Sequence, residues 1–385
     1  AMATYMAIFC IFGAFLEVSK GGKLFADISL AATGASKGGA AKTATVTSAL
    51  LGTISGSPGA VALTTGALTI PLMRRAGYNP TYTAAVLADG GVGAMIMPPV
   101  LGMAAFIMVE VTGISYFEIC VMSLLPAIVY FASIFFMAHF EAIKSGRKGI
   151  PKEELPKVKD TIVNLGHLFI PIIVLIYLLA TGFTPIRAAF YATMAIIVVA
   201  MVKGATRLKI RDFIRAMDSA AKGLVSVAAA GACCGIIMGV VTMTGLGLKF
   251  SSMIVEWSGG IMVVGLVLAA VVNLILGCGL PPTAVYILVS AMVAPALIEL
   301  GMPIYAAHMF MFYYAILSAI TPPVAMTSFL TAGMTGAPPI KTAVESCKVG
   351  FPLFILPLFF AFSPALLLKG PILDSVMRFI FTMLG

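Results

Sequence analysis

The sequence predicts an all-α polytopic membrane protein built from two inverted copies of one unit, each with a re-entrant helical hairpin and a broken helix. Three observations carry this. Hydrophobic residues fill 61% of 385 positions and charged residues only 10%, and the mean hydropathy is +1.08, far more apolar than a water-soluble core of this size needs. Pro58, Pro71, Gly77, Pro98 and Pro99 recur as Pro282, Pro295, Gly301, Pro322 and Pro323, each displaced by 224 positions. Clusters of Pro and Gly interrupt otherwise apolar segments at matching places in both copies.

The elements follow in order. The first copy spans 1–140, with a hairpin over about 40–74 that folds at Ser55-Gly56-Ser57-Pro58-Gly59, and a broken helix over 80–112 interrupted from Gly90-Gly91-Val92-Gly93 through Pro98-Pro99. Residues 141–221 form a cytoplasmic linker, two scaffold helices and an amphipathic arm. The second copy spans 222–368, with a hairpin over about 259–300 folding at Gly277–Thr283 and a broken helix over 303–336 interrupted from Ser318 through Pro322-Pro323. Upstream of the hairpins, Gly22-Lys23-Leu24-Phe25 corresponds to Gly247-Leu248-Lys249-Phe250. Segments 116–140, 162–182, 185–203, 222–244 and 349–368 reach the roughly 20 apolar residues that cross a bilayer as a helix. The stretches 23–33, 207–219 and 246–257 are amphipathic and too short to cross, as expected of arms in the interface. Residues 369–385 read as the start of a further helix, and the chain as a fragment cut at both ends.

The formal net charge of +9 does not indicate a nucleic-acid partner, because the basic residues lie in short connections between apolar segments and not on one soluble face. They are topology signals. Lys144, Arg147, Lys148, Lys152, Lys157 and Lys159 precede the central helix pair, and Lys203, Arg207, Lys209, Arg211, Arg215 and Lys222 follow it, so both flanks are cytoplasmic. Counting outward, the first hairpin opens to the cytoplasm among Lys20, Lys23, Lys37, Lys42, Arg74 and Arg75. The second opens outside, where Lys249 stands against Glu256 and Glu299. The six cysteines form no CxxC pair, so they read as small apolar packing residues.

Proline removes a backbone N–H and clashes with the preceding turn. In a bilayer the freed backbone groups are tolerated where they are buried in protein or line a cavity. Half-helices meeting at mid-membrane present positive N-termini to anions and free carbonyls to a small cation. Ser55, Ser57, Thr283 and Thr321 add neutral hydroxyls suited to sodium, and no His or thiol cluster suggests a transition metal. Asp89 lies within an apolar segment, where a charge usually marks a pathway or a partner, or is paired or capped within the bundle. Glu17, Asp27 and Glu110 fall near boundaries, and His139, His167 and His308 share no metal-ligand spacing.

The stretches GTISGSPGAVALTTGALTIPLMRRAGYNPTYTAAV and IMPPVLGMAAFI, with GLPPTAVYILVSAMVAPALIELGMPIYAAHMF and LSAITPPVA in the second copy, resemble the large membrane subunit of tripartite ATP-independent periplasmic (TRAP) transporters. They are closest to the fused type, in which small and large membrane subunits share one chain. The resemblance implies an elevator-type, sodium-driven symporter of the bacterial or archaeal inner membrane, with no organic cofactor. It also implies a periplasmic substrate-binding protein of the TAXI class, carrying dicarboxylates, 2-oxo acids or amino acids. By the same resemblance, ion-site roles fall on Ser55, Gly56 and Ser57 with Gly91 and Gly93, and on Gly279, Pro281 and Thr283 with Thr321 and Pro322. Substrate contacts fall on Ser57, Pro58, Asp89, Pro98, Pro99, Pro282, Thr283 and Pro323, between the two hairpin tips. The chain departs from such relatives at Val61, Leu87, Met95 and Pro282, where they carry Asn, Glu, Gln and Thr. A transporter that needs no binding protein is the rival expectation. A channel lacks its polar pore lining, and an intramembrane enzyme lacks clustered acid, base or metal ligands.

Overall fold

The computed structural model describes residues 2–204 and 206–369. Among these there are helices and turns and no strand. The expected further helix over 369–385 lies, apart from Lys369, outside the described residues.

The first copy runs α1 (Met2–Val18), α2 (Gly21–Thr33), α3 (Gly39–Gly52), α4 (Pro58–Arg75), α5 (Pro80–Ala94), α6 (Ala104–Thr112) and α7 (Tyr116–Lys144). The starts and stops are chemically explicit. Ser57 opens α4 by accepting a hydrogen bond from Ala60 N at 3.4 Å, with Pro58 at the first helical position. Asn79 caps α5 through Thr81 N at 2.9 Å, with Pro80 next. Ser115 caps α7 through Glu118 N at 3.2 Å. In each case a side-chain oxygen meets an N–H that the first turn leaves unpaired, and proline costs nothing at the first position. Arg74 and Arg75 close α4, where positive charge suits the helix C-terminus.

The linker holds α8 (Val158–Leu165), α9 (Ile170–Ala180) and α10 (Pro185–Val202). Then come α11 (Ile210–Thr244), α12 (Leu246–Ser258), α13 (Met262–Leu276), α14 (Pro282–Met292), α15 (Ala294–Glu299), α16 (Ile304–Leu317), α17 (Met326–Thr335), α18 (Pro339–Val349) and α19 (Pro352–Phe362). The order arm, hairpin and broken segment therefore appears twice: α2, α3/α4, α5/α6 and then α12, α13/α14, α16/α17. Among the described residues three helical stretches, Tyr116–Lys144, Lys152–Ala180 and Pro185–Val202, are long and apolar enough to cross a membrane, and up to five if each of two bent pairs is one span.

Two expectations are corrected. The arm over 207–219 is not a separate element, because α11 continues without interruption from Ile210 into the expected span 222–244. No proline stands in that stretch, and nothing in the backbone ends the helix before Gly245, whose φ is +68°. The first break also starts later than expected. Gly90, Gly91 and Gly93 are helical within α5, and the irregular stretch is 95–103, around Pro98-Pro99.

The packing interleaves the copies. Helix α5 is surrounded by α3 and α4 of its own copy and by α17 and α18 of the other, while α6 packs on α14 and α16. From Thr83 to Ala94 and from Ala306 to Leu317 every residue is buried. Helix α1 packs on α10 and α11, forming a wall beside the first hairpin.

Candidate functional site

The first hairpin tip, residues 53–57, nests in the first break. A methyl at Gly56 would collide with the Leu101 carbonyl, and one at Gly52 would lie 2.8 Å from Ala94 Cα. Gly91 meets the hairpin from the other side, where an added Cβ would be 2.5 Å from the Pro58 carbonyl oxygen, and one at Gly93 would be 2.5 Å from Tyr130 Cε1. Gly91 and Gly93 lie within helix α5, where the missing side chain lets Pro58 and Tyr130 approach closely.

The break itself is tied by backbone and by α7. Gly102 N donates to the Met95 carbonyl at 2.7 Å. The Tyr116 hydroxyl donates to the Pro99 carbonyl at 2.9 Å and accepts from Leu101 N at 3.2 Å. Tyr130 donates to the Asp89 carbonyl at 3.1 Å. The sequence reading missed both tyrosines, although their spacing in an apolar helix puts them near one face.

The second tip, residues 277–281, meets the second break, residues 318–325. A Cβ on Gly277 would lie 2.7 Å from Ser318 Cβ. Thr327 N donates to the Ala319 carbonyl at 2.9 Å, closing this break much as Gly102 closes the first. Thr321 Oγ1 donates to the Leu317 carbonyl at 2.8 Å. Both Pro98-Pro99 and Pro322-Pro323 are cis. Asn273, fully buried on α13, donates to the Met311 carbonyl at 3.2 Å and so fastens the hairpin to α16.

A cavity of about 180 Å³ opens at the first tip. Ser55, Gly56 and Ser57 line one side, with Val61 and Thr64 of α4, and Val100, Leu101 and Met103 of the break beneath them. The opposite wall is α1 with Met6, Phe9, Cys10 and Glu17, closed by Ser219, Ala220 and Gly223 of α11. Of the expected substrate contacts, Ser57 lines this cavity; Pro58, Asp89, Pro98, Pro99, Pro282, Thr283 and Pro323 do not. The α1 and α11 walls come from sequence-distant helices, and no local motif announces them.

Asp89 points elsewhere. It is fully buried, and neither carboxylate oxygen has a hydrogen-bond partner. Its Oδ1 sits so close to Gly350 that a side chain there would collide with it, and the same point is 3.1 Å from Ile320 Cδ1 and from the Ser346 carbonyl. Asp89 thus lies against Gly350 at the end of α18, which Ile320 of the second break also faces. The six basic residues at the first hairpin's mouth are differently engaged: Lys42 is buried against His139 Nδ1 at 3.0 Å and Ser36 at 3.2 Å, and Arg75 pairs with Glu154 at 2.7 Å. His308 is bonded to Tyr286 at 2.9 Å, and His167 to Thr206 at 2.9 Å.

Among the described residues the chain is all-helical, with helices long and apolar enough to cross a bilayer, as a polytopic membrane protein requires. The chain belongs to the DctM family of tripartite ATP-independent periplasmic transporters, whose profile, described as the DctM component, matches residues 1–368. It is therefore a transporter component and not an enzyme. It is 24% identical over 339 residues to the C4-dicarboxylate TRAP transporter large permease protein DctM of Pseudomonas aeruginosa, covering 87% of this chain and 78% of that one. It is likewise 24% identical over 345 residues to the uncharacterized protein y4mL of Sinorhizobium fredii, covering 86% and 79%. Over 193 residues it is 25% identical to the 2,3-diketo-L-gulonate TRAP transporter large permease protein YiaN of Escherichia coli, covering 48% and 44%.

Proposed function

We propose that the chain is the large permease part of a sodium-driven symporter for a small organic anion in the inner membrane of a bacterium or archaeon. A periplasmic substrate-binding protein of the TAXI class delivers the cargo, and the small membrane subunit is fused in the same full-length chain. In this reading the two copies are inverted, both hairpins are re-entrant, and they move with their broken helices as an elevator. The scaffold is α7, the helix pair α9/α10 and the segment 349–368. The observation that supports it most is the first tip: a serine-rich turn wedged into a proline break, with its hydroxyls lining the cavity.

The ion sites fall on Ser55, Gly56 and Ser57 with Gly91 and Gly93, and on Gly279, Pro281 and Thr283 with Thr321 and Pro322. Hydroxyls and unpaired carbonyls at helix breaks are suited to an alkali cation. Asp89 is assigned to the second group across the copy boundary, since its unpartnered carboxylate and Ile320, beside Thr321, both face Gly350. An uncompensated charge inside a bilayer is costly, so a cation arriving at the second break would find its countercharge there.

The test is uptake in proteoliposomes with the full-length chain, candidate binding proteins and imposed gradients. Uptake should require both a binding protein and inward sodium, and Ser57→Ala and Thr321→Ala should each lower it at least tenfold. Uptake that ignores sodium and survives both substitutions refutes the ion sites; uptake without a binding protein refutes the tripartite reading.

A further inference from the structure

The lining of the first-tip cavity is chemically lopsided. Among the described residues that form it, Glu17 is the one charged side chain, and no Lys, Arg or His contributes. Most hydroxyls lie on the hairpin side, with Ser55, Ser57 and Thr64, and the α11 wall adds Ser219. Met6, Phe9, Val61, Val100, Met103 and Phe106 make much of the remainder apolar. The basic residues at the hairpin's cytoplasmic foot do not compensate, since Lys42 and Arg75 are bonded elsewhere and neither lines the cavity.

A carboxylate leaving water needs a charge partner or several hydrogen bonds. The hydroxyls of Ser55, Ser57 and Thr64, with the sodium ion proposed at this tip, suffice for one such group. A second carboxylate on the same molecule would meet apolar walls, or Glu17, and find no Lys, Arg or His. A methylene-rich or branched body, by contrast, gains from contact with those walls.

Resting on the reading of this cavity as the cargo site, we infer that the permease selects a small acid with a single carboxylate and an apolar body, in preference to a dicarboxylate. The carboxylate docks on Ser55 and Ser57, and the body lies against Phe9, Val61 and Phe106. This differs from the C4-dicarboxylate named for the Pseudomonas relative.

Cys10 gives a direct readout, because it lines this cavity and is half-buried, whereas Cys278 on the second tip is exposed and outside it. The full-length chain in nanodiscs is treated with N-ethylmaleimide in sodium buffer, and labelling at each cysteine is followed by peptide mass spectrometry. The probes are 4-methyl-2-oxopentanoate and succinate, each at about 10 mM, enough for about tenfold protection by a ligand of millimolar affinity. The expected result is Cys10 labelling slowed about tenfold by the monocarboxylate, little changed by succinate, with Cys278 labelling unchanged by either. Equal or stronger protection by succinate, or no protection by either probe, overturns the inference. A second arm places a cation in the lining with Met103→Lys. Succinate should then protect Cys10 at least threefold, and a variant that folds but gives succinate no foothold counts against the charge argument. The labelling uses neither binding protein nor gradient. Protection by the monocarboxylate with failed sodium-driven uptake would sink the transport reading alone, and sodium-driven succinate uptake without monocarboxylate protection would sink this inference alone.

Discussion

The two hairpin tips occupy equivalent places in the sequence and are held by different means. The first is held by shape. Gly52, Gly56 and Gly91 each lie where a single methyl would run into backbone, and α4 runs unbroken through Pro71. The second is held by conformation. Gly279 has a φ of +86° with its nearest outside neighbour, Val324, at 3.8 Å from an added Cβ, and Cys278 beside it is exposed. Its outer arm is divided between α14 and α15 ahead of Pro295, the counterpart of Pro71. The first tip is thus clamped beside a cavity, while at Gly279 the second has room around it.

That contrast is most exposed to a methyl group. Gly56→Ala drives a Cβ into the Leu101 carbonyl and requires the break to shift, an overpacking cost of about 3 kcal/mol. Gly279→Ala meets only Val324 at ordinary contact distance and bears the left-handed backbone penalty of roughly 1–2 kcal/mol. Thermal unfolding of the two variants in detergent should therefore rank Gly56→Ala clearly below Gly279→Ala. Equal melting temperatures would erase the distinction between shape and conformation.

The breaks differ in the same sense. Tyr116→Phe removes a hydroxyl that both donates to Pro99 and accepts from Leu101 N, leaving a buried N–H unpaired at a cost of roughly 1–3 kcal/mol. Thr321→Val removes only a local bond to the Leu317 carbonyl, worth about 1 kcal/mol or less. Hydrogen exchange should show Tyr116→Phe raising amide exchange across 99–103, while Thr321→Val leaves 318–325 nearly unchanged. A reversed order would mean that the second break is the more tightly tied.

How much of this was legible in the sequence follows from range. Both tips were, because Pro58 and Pro282 begin helices and serine or glycine must turn the chain ahead of them. The start of the first break was misread, because glycine was taken as a breaker at Gly90–Gly93 where it serves contact with Ser48, Pro58 and Tyr130. The continuity of α11 was hidden for a related reason. The charges over 207–219 suggested an interfacial arm, and charge pattern does not reveal where a helix ends. Asp89 stood out as an anomaly, but its neighbour Gly350 lies 261 positions away in sequence, beyond the reach of any local pattern. The cavity wall on α1 and α11 was illegible on the same grounds.

The arms give the smallest and most specific comparison. Asp27 on α2 is half-buried, and burial raises its carboxyl above the ordinary range, an effect that the neighbouring Lys23 partly offsets. In the register that aligns Gly22 with Gly247, its counterpart on α12 is Ser252, which is exposed and uncharged. A carboxyl raised in the folded state favours folding less as pH climbs. Its penalty is absent below the ordinary aspartate value of 3.8, grows as pH rises through the raised value, and is complete above it. Giving the first arm the second arm's residue, Asp27→Ser, should therefore stabilise the protein at neutral pH by a few tenths of a kcal/mol after solvent screening. The gain should fade as the buffer is taken towards pH 4. Melting curves of parent and variant across that range check it. A gain that persists undiminished in acid would assign the difference between the arms to packing and not to charge.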